Sequence, residues 1–209
     1  MNDSISKNGR LRRTLLVAAV LTASLGASGC LPVVATGAAV GTLAALDRRT
    51  VGAQTEDQAI ELKAAAQIRD RIGSGVSVTS FNRKVLLTGQ VANERDKRTA
   101  EAIVAELPNV RSIHNELQVA GVPSLSTSAA DSAITARVKA AFLEAADLQA
   151  NTIKVVTEAG TVYLMGLVSR READRAAQVA SRVAGVQRVV TVFEYITEEE
   201  AARSKPQSR

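Results

Sequence analysis

Val85-Leu86-Leu87-Thr88-Gly89-Gln90-Val91 recurs as Val162-Tyr163-Leu164-Met165-Gly166-Leu167-Val168, 77 residues further on. Both copies read as one strand pattern with a glycine at the same place. Working outward, the match continues on both sides. Val76-Ser77-Val78 returns as Ile153-Lys154-Val155 at the same offset, and Ile60, Ala64 and Ile68 return as Ile134, Val138 and Phe142 at an offset of 74. Downstream, Asn109-Val110-Arg111-Ser112-Ile113 returns as Gly185-Val186-Gln187-Arg188-Val189 at 76. The offset changes only where loops and helix starts belong, so the chain carries one unit written twice.

Each unit opens with apolar residues at i, i+4, i+8, the spacing of a helix face. Two short strands follow around a tight turn, Asn82-Arg83-Lys84 or Glu158-Ala159-Gly160. Ser169-Arg170-Arg171-Glu172 is a capping box and predicts a helix presenting Ala176, Val179, Ala180 and Val183. Asn93 and Asp96 play the matching part before Ala100, Ile103, Val104 and Leu107. Asn109 and Gly185 stand just past these helices, and both residue types tolerate the left-handed conformation required there. Val110, Ile113 and Leu117 close the first unit as a third strand; Val186, Val189 and Phe193 close the second. The expected fold is α+β: two tandem αββαβ domains, each a three-stranded sheet with two helices on one face. Gly89 and Gly166 sit mid-strand, where glycine is costly unless something approaches closely; a helix packed tightly on the sheet is the expected neighbour.

The flanks read differently. Lys7, Arg10, Arg12 and Arg13 precede an uncharged run, Thr14 to Gly29, which ends in Ala27-Ser28-Gly29 before Cys30. A basic start, a short apolar stretch and a small-residue cleavage site form a secretory signal, here residues 1–29. The small residues before the chain's single cysteine resemble a lipobox, which makes Cys30 the expected acylation site. Cleavage there removes four basic residues and Asp3, leaving 22 positive and 20 negative side chains. The sequence pI of 9.7 therefore belongs mostly to the signal, and no strong attraction to nucleic acid remains. Residues 30–56 are expected to be an acylated membrane-proximal tether, 57–119 the first domain, 120–130 a linker, 131–196 the second domain and 197–209 a flexible tail.

One cysteine and one histidine exclude a disulfide framework and a thiolate or imidazole metal cluster. Aromatics make up 2% of the chain, with no tryptophan. No Gly-rich nucleotide loop and no paired carboxylates are recognisable, so neither an enzyme nor a cofactor is expected. His114 belongs to a polar strand face and reads as a surface residue.

The αββαβ order, V-x-L-x-G-x-V, the following helix and G/N-V-x-x-V together resemble the BON domain. The lipobox, the stretch Asp47-Arg48-Arg49-Thr50-Val51-Gly52-Ala53-Gln54 and two tandem units resemble the family's outer-membrane lipoproteins. That resemblance implies a lipid-anchored protein on the periplasmic face of the outer membrane, binding anionic phospholipid and supporting envelope integrity, with no established catalytic residues. The sorting rule for Gram-negative lipoproteins, applied to Leu31 after the cysteine, points to the same membrane.

The two units differ on the sheet face turned away from their helices. In the first it reads Ser77, Thr79, Leu86, Thr88, Gln90, Ser112, His114, Glu116 and Gln118, which predicts an ordinary solvated face. In the second it reads Lys154, Val156, Tyr163, Met165, Leu167, Val190, Val192, Glu194 and Ile196, mostly apolar. A face of that kind is not left in water without reason. It is expected to be covered by the first unit or the linker; the alternative is that it binds an outer-membrane protein partner. Lipid contact is expected on the first helix of the second unit. At about 100° per residue, Ala136, Lys139, Ala140 and Leu143 fall opposite Ile134, Val138, Ala141 and Phe142, with Ala133 and Arg137 at the edge of that outward side. Small residues there bring the backbone close to headgroups, two cations meet an anionic surface and one leucine inserts.

Overall fold

A computed structural model of the chain describes residues 47–120 and 125–203, with side chains from 128 in the second segment. The expected signal peptide, Cys30 and the expected tether up to residue 46 lie outside these residues. Among those described, no helix is long and apolar enough to cross a membrane.

The first unit comprises α1 (Val51–Arg71), β1 (Val76–Phe81), β2 (Lys84–Val91), α2 (Glu94–Ala105), β3 (Ser112–Asn115) and β4 (Gln118–Val119). The second comprises α3 (Leu125–Glu144), a 3-10 turn (Ala150–Thr152), β5 (Ile153–Glu158), β6 (Thr161–Val168), α4 (Arg170–Ser181) and β7 (Arg188–Tyr195), followed by α5 (Glu198–Arg203). In each unit the middle strand pairs antiparallel with its predecessor and parallel with the strand after the second helix. The first unit's closing strand is interrupted. Asn115 Oδ1 accepts from the Leu117 amide, and β3 and β4 resume the parallel pairing with β2 on either side. Two helices cover one face of each sheet as expected. Ile60, Ala64 and Ile68 from α1 and Ala100, Ile103 and Val104 from α2 bury against Val85, Leu87 and Val91. Ile134, Val138 and Phe142 with Ala173, Ala176 and Ala180 bury against Val155, Val162, Leu164 and Val168.

Three boundaries move. The helix of the first unit begins at Val51, inside the expected tether, because Thr50 caps it: Thr50 Oγ1 accepts from the Ala53 amide at 3.1 Å and Ala53 is buried. The helix of the second begins at Leu125, inside the expected linker, since the chain-breaking Gly121 and Pro123 both lie upstream and Ala129 and Ala130 favour a helix. The expected flexible tail starts with a helix, α5. Thr197 Oγ1 accepts from the Glu200 amide, Glu200 Oε2 accepts from the Thr197 amide, and Ala201 is buried.

The mid-strand glycines have a different neighbour from the one expected. A Cβ on Gly89 would lie 2.1 Å from the Gly75 carbonyl oxygen, and one on Gly166 would lie 2.6 Å from that of Thr152. What approaches is the backbone entering the adjacent strand, and no helix. Gly89 also adopts φ +105°, a region that side chains rarely occupy. Asn109 and Gly185 take the expected left-handed conformation, at +68° and +94°.

The apolar sheet face of the second unit is covered by the first. Phe81 and Leu86 form one cluster with Tyr163, Met165 and Val192, and Val156, Leu167 and Val190 pack around it. The expectation of a solvated face on the first unit therefore fails in part: Leu86 and Thr88 are 0% and 1% exposed, while Ser77 and Gln118 remain exposed. On the second unit's face Tyr163, Met165 and Val192 are buried, and Val156, Leu167, Val190 and Ile196 are half-buried. Polar contacts ring the cluster. Lys154 Nζ donates to Glu61 at 2.8 Å and to the Ser80 carbonyl at 3.3 Å, Lys84 Nζ to the Phe193 carbonyl at 3.0 Å, and Asn82 Nδ2 to Glu194 at 2.9 Å.

A strap ahead of α1 secures both units. Arg48 reaches the second: its two terminal nitrogens donate to the two carboxylate oxygens of Glu172 at 2.7 and 2.9 Å, and also to the Leu167 carbonyl, Gln149 Oε1 and the Ala201 carbonyl. Both side chains of this pair are nearly inaccessible. Arg49 stays with the first unit. It pairs with Asp57 at 2.8 Å and with Asp47, and its guanidinium lies 4.1 Å from the centre of the Phe81 ring.

Two outcomes are expected. Met165→Asp, which puts a carboxylate into the shared cluster, should lower stability by about 3 kcal/mol or more, with both units melting in one earlier transition by calorimetry; Gln118→Lys on the exposed edge should stay within about 0.5 kcal/mol. Arg48→Met should cost about 3–5 kcal/mol, because Glu172 is left buried without its cation. Burial pushes the Glu172 carboxyl up, but the bonds from Arg48 and the Ser169 amide outweigh it and hold the group below the usual range. The stabilisation is therefore present above the unfolded value near about 4.3 and is lost as pH falls through the lower folded value. Denaturant titrations of wild type and Arg48→Met should converge as the pH drops below about 4.

Candidate membrane-contact surface

α3 is held by its inward residues. Ile134, Val138 and Phe142 are 5%, 0% and 1% exposed in the core of the second unit, and Ala141 is half-buried at its border. This fixes the rotation of the helix and turns Ala133, Ala136, Arg137, Lys139, Ala140 and Leu143 outward; all six are exposed. Leu143 is 71% exposed, with Lys139 one helical turn before it.

The six do not form one even patch. Lys139 and Leu143 line a depression of about 280 Å³ with Phe142, Ala150, Asn151 and Ile153. Ala133 and Arg137 line a wider, open one of about 710 Å³ on the other flank, with Ile134, the turn at Ala159-Gly160, Gly185 and Gln187. Ala136 and Ala140 lie between, a low ridge of methyl groups. Arg137 is not a freely swinging cation, since its Nε donates to the Ala184 carbonyl at 3.1 Å. Asp131 shares the wider depression, but its carboxylate is occupied, accepting from the Ala159 and Gly160 amides at 2.8 and 2.9 Å. The local chemistry is two cations, a run of small side chains and one solvent-facing leucine.

Asp131 belongs to a pair that the reading of the sequence passed over. Asp57 does the same work in the first unit. Its carboxylate accepts from the Asn82 and Arg83 amides, both at 2.7 Å, and from Ser80 Oγ and Arg49. In both units the turn residues have positive φ, 51° and 65° at Asn82 and Arg83, 47° and 73° at Ala159 and Gly160, as a two-residue hairpin demands. The signal was available. Asp57 and Asp131 stand 74 residues apart, the offset that aligns the helices, three places before Ile60 and Ile134. Arg48 and Arg49 stand in the sequence within the expected tether, as part of the stretch Asp47 to Gln54 that carries the family resemblance, with no sign of their ion-pair partners.

His114 is half-buried rather than on the surface, and burial first, then the Lys84 ammonium, lowers its pKa from the usual imidazole value. Among the described residues no group of three or more His, Cys, Asp or Glu side chains is placed to hold a metal ion.

Comparison with known proteins follows the same outline. A family model for the BON domain matches residues 56–121 and 130–197. The outer membrane lipoprotein DolP of Haemophilus influenzae is 36% identical over 186 residues, which is 86% of this chain and 95% of that protein. The 21 kDa hemolysin of Actinobacillus pleuropneumoniae is 32% identical over 157 residues, 72% of this chain and 80% of its own length. Osmotically-inducible protein Y of Escherichia coli is 33% identical over 145 residues, 66% and 72% of the two chains. With two matches in tandem and relatives of this similarity along most of its length, the chain belongs to the BON-domain family.

Proposed function

We propose that this protein is an envelope lipoprotein, anchored through Cys30 to the periplasmic face of the outer membrane, that binds anionic phospholipid through the outward side of α3 and supports envelope integrity. The observation that carries the reading is Leu143, exposed to 71% one turn after Lys139, on a helix whose other outward residues are mostly alanines. An apolar side chain beside a cation on a shallow surface suits the boundary between headgroups and acyl chains. Lys139 and Arg137 each add about 1 kcal/mol near an anionic leaflet. That is weak for a free protein and sufficient for an anchored one, because an anchor keeps the helix at high local concentration beside the bilayer. The printed names of the relatives, an outer membrane lipoprotein among them, support the envelope setting, and the lipobox before Cys30 supports the anchor.

A reading in which the second unit recruits a protein through its sheet face loses its surface, since that face packs on Phe81 and Leu86. No enzymatic role is assigned.

Two experiments test the proposal. In the first, a form beginning at Asp47 is floated with vesicles. It should associate with phosphatidylglycerol or cardiolipin vesicles in a salt-sensitive manner, and Lys139→Glu with Leu143→Ser should abolish most of that association while the thermal midpoint moves little, since both side chains are exposed. A folded double variant that floats like its parent would refute the α3 site. In the second, Cys30→Ala should leave the signal uncleaved and the protein without acyl chains, while the wild type, cleaved and acylated, stays in the membrane pellet, because stable anchoring takes two or more chains. Mass spectrometry of the wild type should find acyl chains at Cys30; an unmodified thiol would refute the anchor.

A further inference from the structure

Seventeen positions separate Cys30 from Asp47, enough for a reach of about 60 Å when extended. The point where this segment is fastened to the folded body bears on which surface the anchor brings to the lipid.

The fastening point is on the second unit, although the residues that follow it build the first. Arg48 is bonded to Glu172 at the start of α4, to the Leu167 carbonyl in β6, to Gln149 Oε1 in the loop after α3, and to the Ala201 carbonyl in α5. Gln149 is the neighbour of Ala150, and Ala150 shares the 280 Å³ depression with Lys139 and Leu143. The 2.8 Å bond from Arg48 to Gln149 thus places the start of the described chain beside the C-terminal end of α3. Glu172 is held in turn by the capping box with Ser169, so the acceptor is rigid. A planar guanidinium with several donors suits this task, because it satisfies four acceptors from separate elements at once.

We propose that Arg48 is a positioning residue for membrane binding: it fastens the anchor-bearing segment next to the C-terminal end of α3, so that an anchored molecule turns the outward face of α3, and not the first unit, toward the bilayer. The inference rests on the proposed lipid contact of α3 and adds what aims it.

The test uses the acylated full-length protein in vesicles of phosphatidylethanolamine and phosphatidylglycerol carrying a headgroup-linked quencher. A thiol-reactive fluorophore is placed either at Ala146→Cys, exposed just after α3, or at Leu62→Cys, 74% exposed on α1. With Arg48 intact, quenching at 146 should clearly exceed quenching at 62. Arg48→Met with Glu172→Gln removes the ion pair without leaving a buried charge, and should bring the ratio of the two signals to about one. The same double change in the form beginning at Asp47 should leave vesicle affinity unchanged, which a merely structural role would not predict. Should that variant fail to fold, Arg48→Lys with Gln149→Ala keeps a cation beside Glu172 while removing the link to the α3 loop, and is expected to lower the ratio in the same direction. A folded variant that keeps the wild-type ratio overturns the positioning role. A wild-type ratio of one, together with unchanged flotation of the Lys139→Glu, Leu143→Ser variant, overturns the α3 reading and the positioning role with it.

Discussion

Burial of the second unit's apolar sheet face against the first is the constraint on which the rest of the structure depends. Each αββαβ unit has helices on one side of its sheet only, so the other side must be polar or covered. In the second unit Tyr163, Met165 and Val192 make it apolar, and Phe81 and Leu86 from the first unit close it. Fully burying side chains of this size contributes about 1.5–3 kcal/mol each, a large share of what a unit of some 65 residues gains alone. The polar ring makes the arrangement specific. Lys154 finds two partners across the boundary and Lys84 and Asn82 one each, and sliding one sheet over the other would leave these groups partly desolvated and unpaired.

The strap Asp47 to Thr50 stabilises the same arrangement from outside the sheets. Arg49 lies on the Phe81 ring, itself part of the shared cluster, and pairs with the Asp57 that holds the first hairpin turn. Arg48 does the corresponding work on the second unit through Glu172. Two adjacent arginines thus pull on opposite units, and the turn, the shared cluster and the start of α1 become mutually dependent. Buried ion pairs are often no more stabilising than apolar side chains of similar shape. What this one adds is position, because a guanidinium bound by four elements tolerates few alternative placements.

Closing the sheet faces leaves the helices as the surfaces open to other molecules. α1 and α3 are equivalent by repeat but not in their outward residues. The outward side of α3 places Lys139 one turn before Leu143, next to the point where Arg48 holds the strap, while the exposed Leu62 of α1 has Gln58, Ala59, Ala65 and Ala66 one turn away and no cation among them.

The repeat, the order of elements and both helix-side cores were legible in the sequence because they are local. Periodicity along one segment names its buried face, and the 77-residue echo of Val85 to Val91 identifies the strands without knowledge of their partners. The contrast between the two outer sheet faces also showed that something must cover Met165. What the sequence did not carry was the identity of the covering side chains. Thr88 and Leu86 read as an ordinary solvated strand face and are buried, because burial across units is a property of the docked pair and leaves no periodic trace in either. The same limit explains the arginines. A charged dipeptide at the end of a tether has the composition of a solvated linker; only folding brings Glu172, Gln149 and Asp57, from 8 to 124 positions away, into range. Pairing over such separations is set by three-dimensional proximity, which the linear order of residues does not encode locally, and so the fold was written in the sequence while the strap and the shared core were decided by tertiary structure.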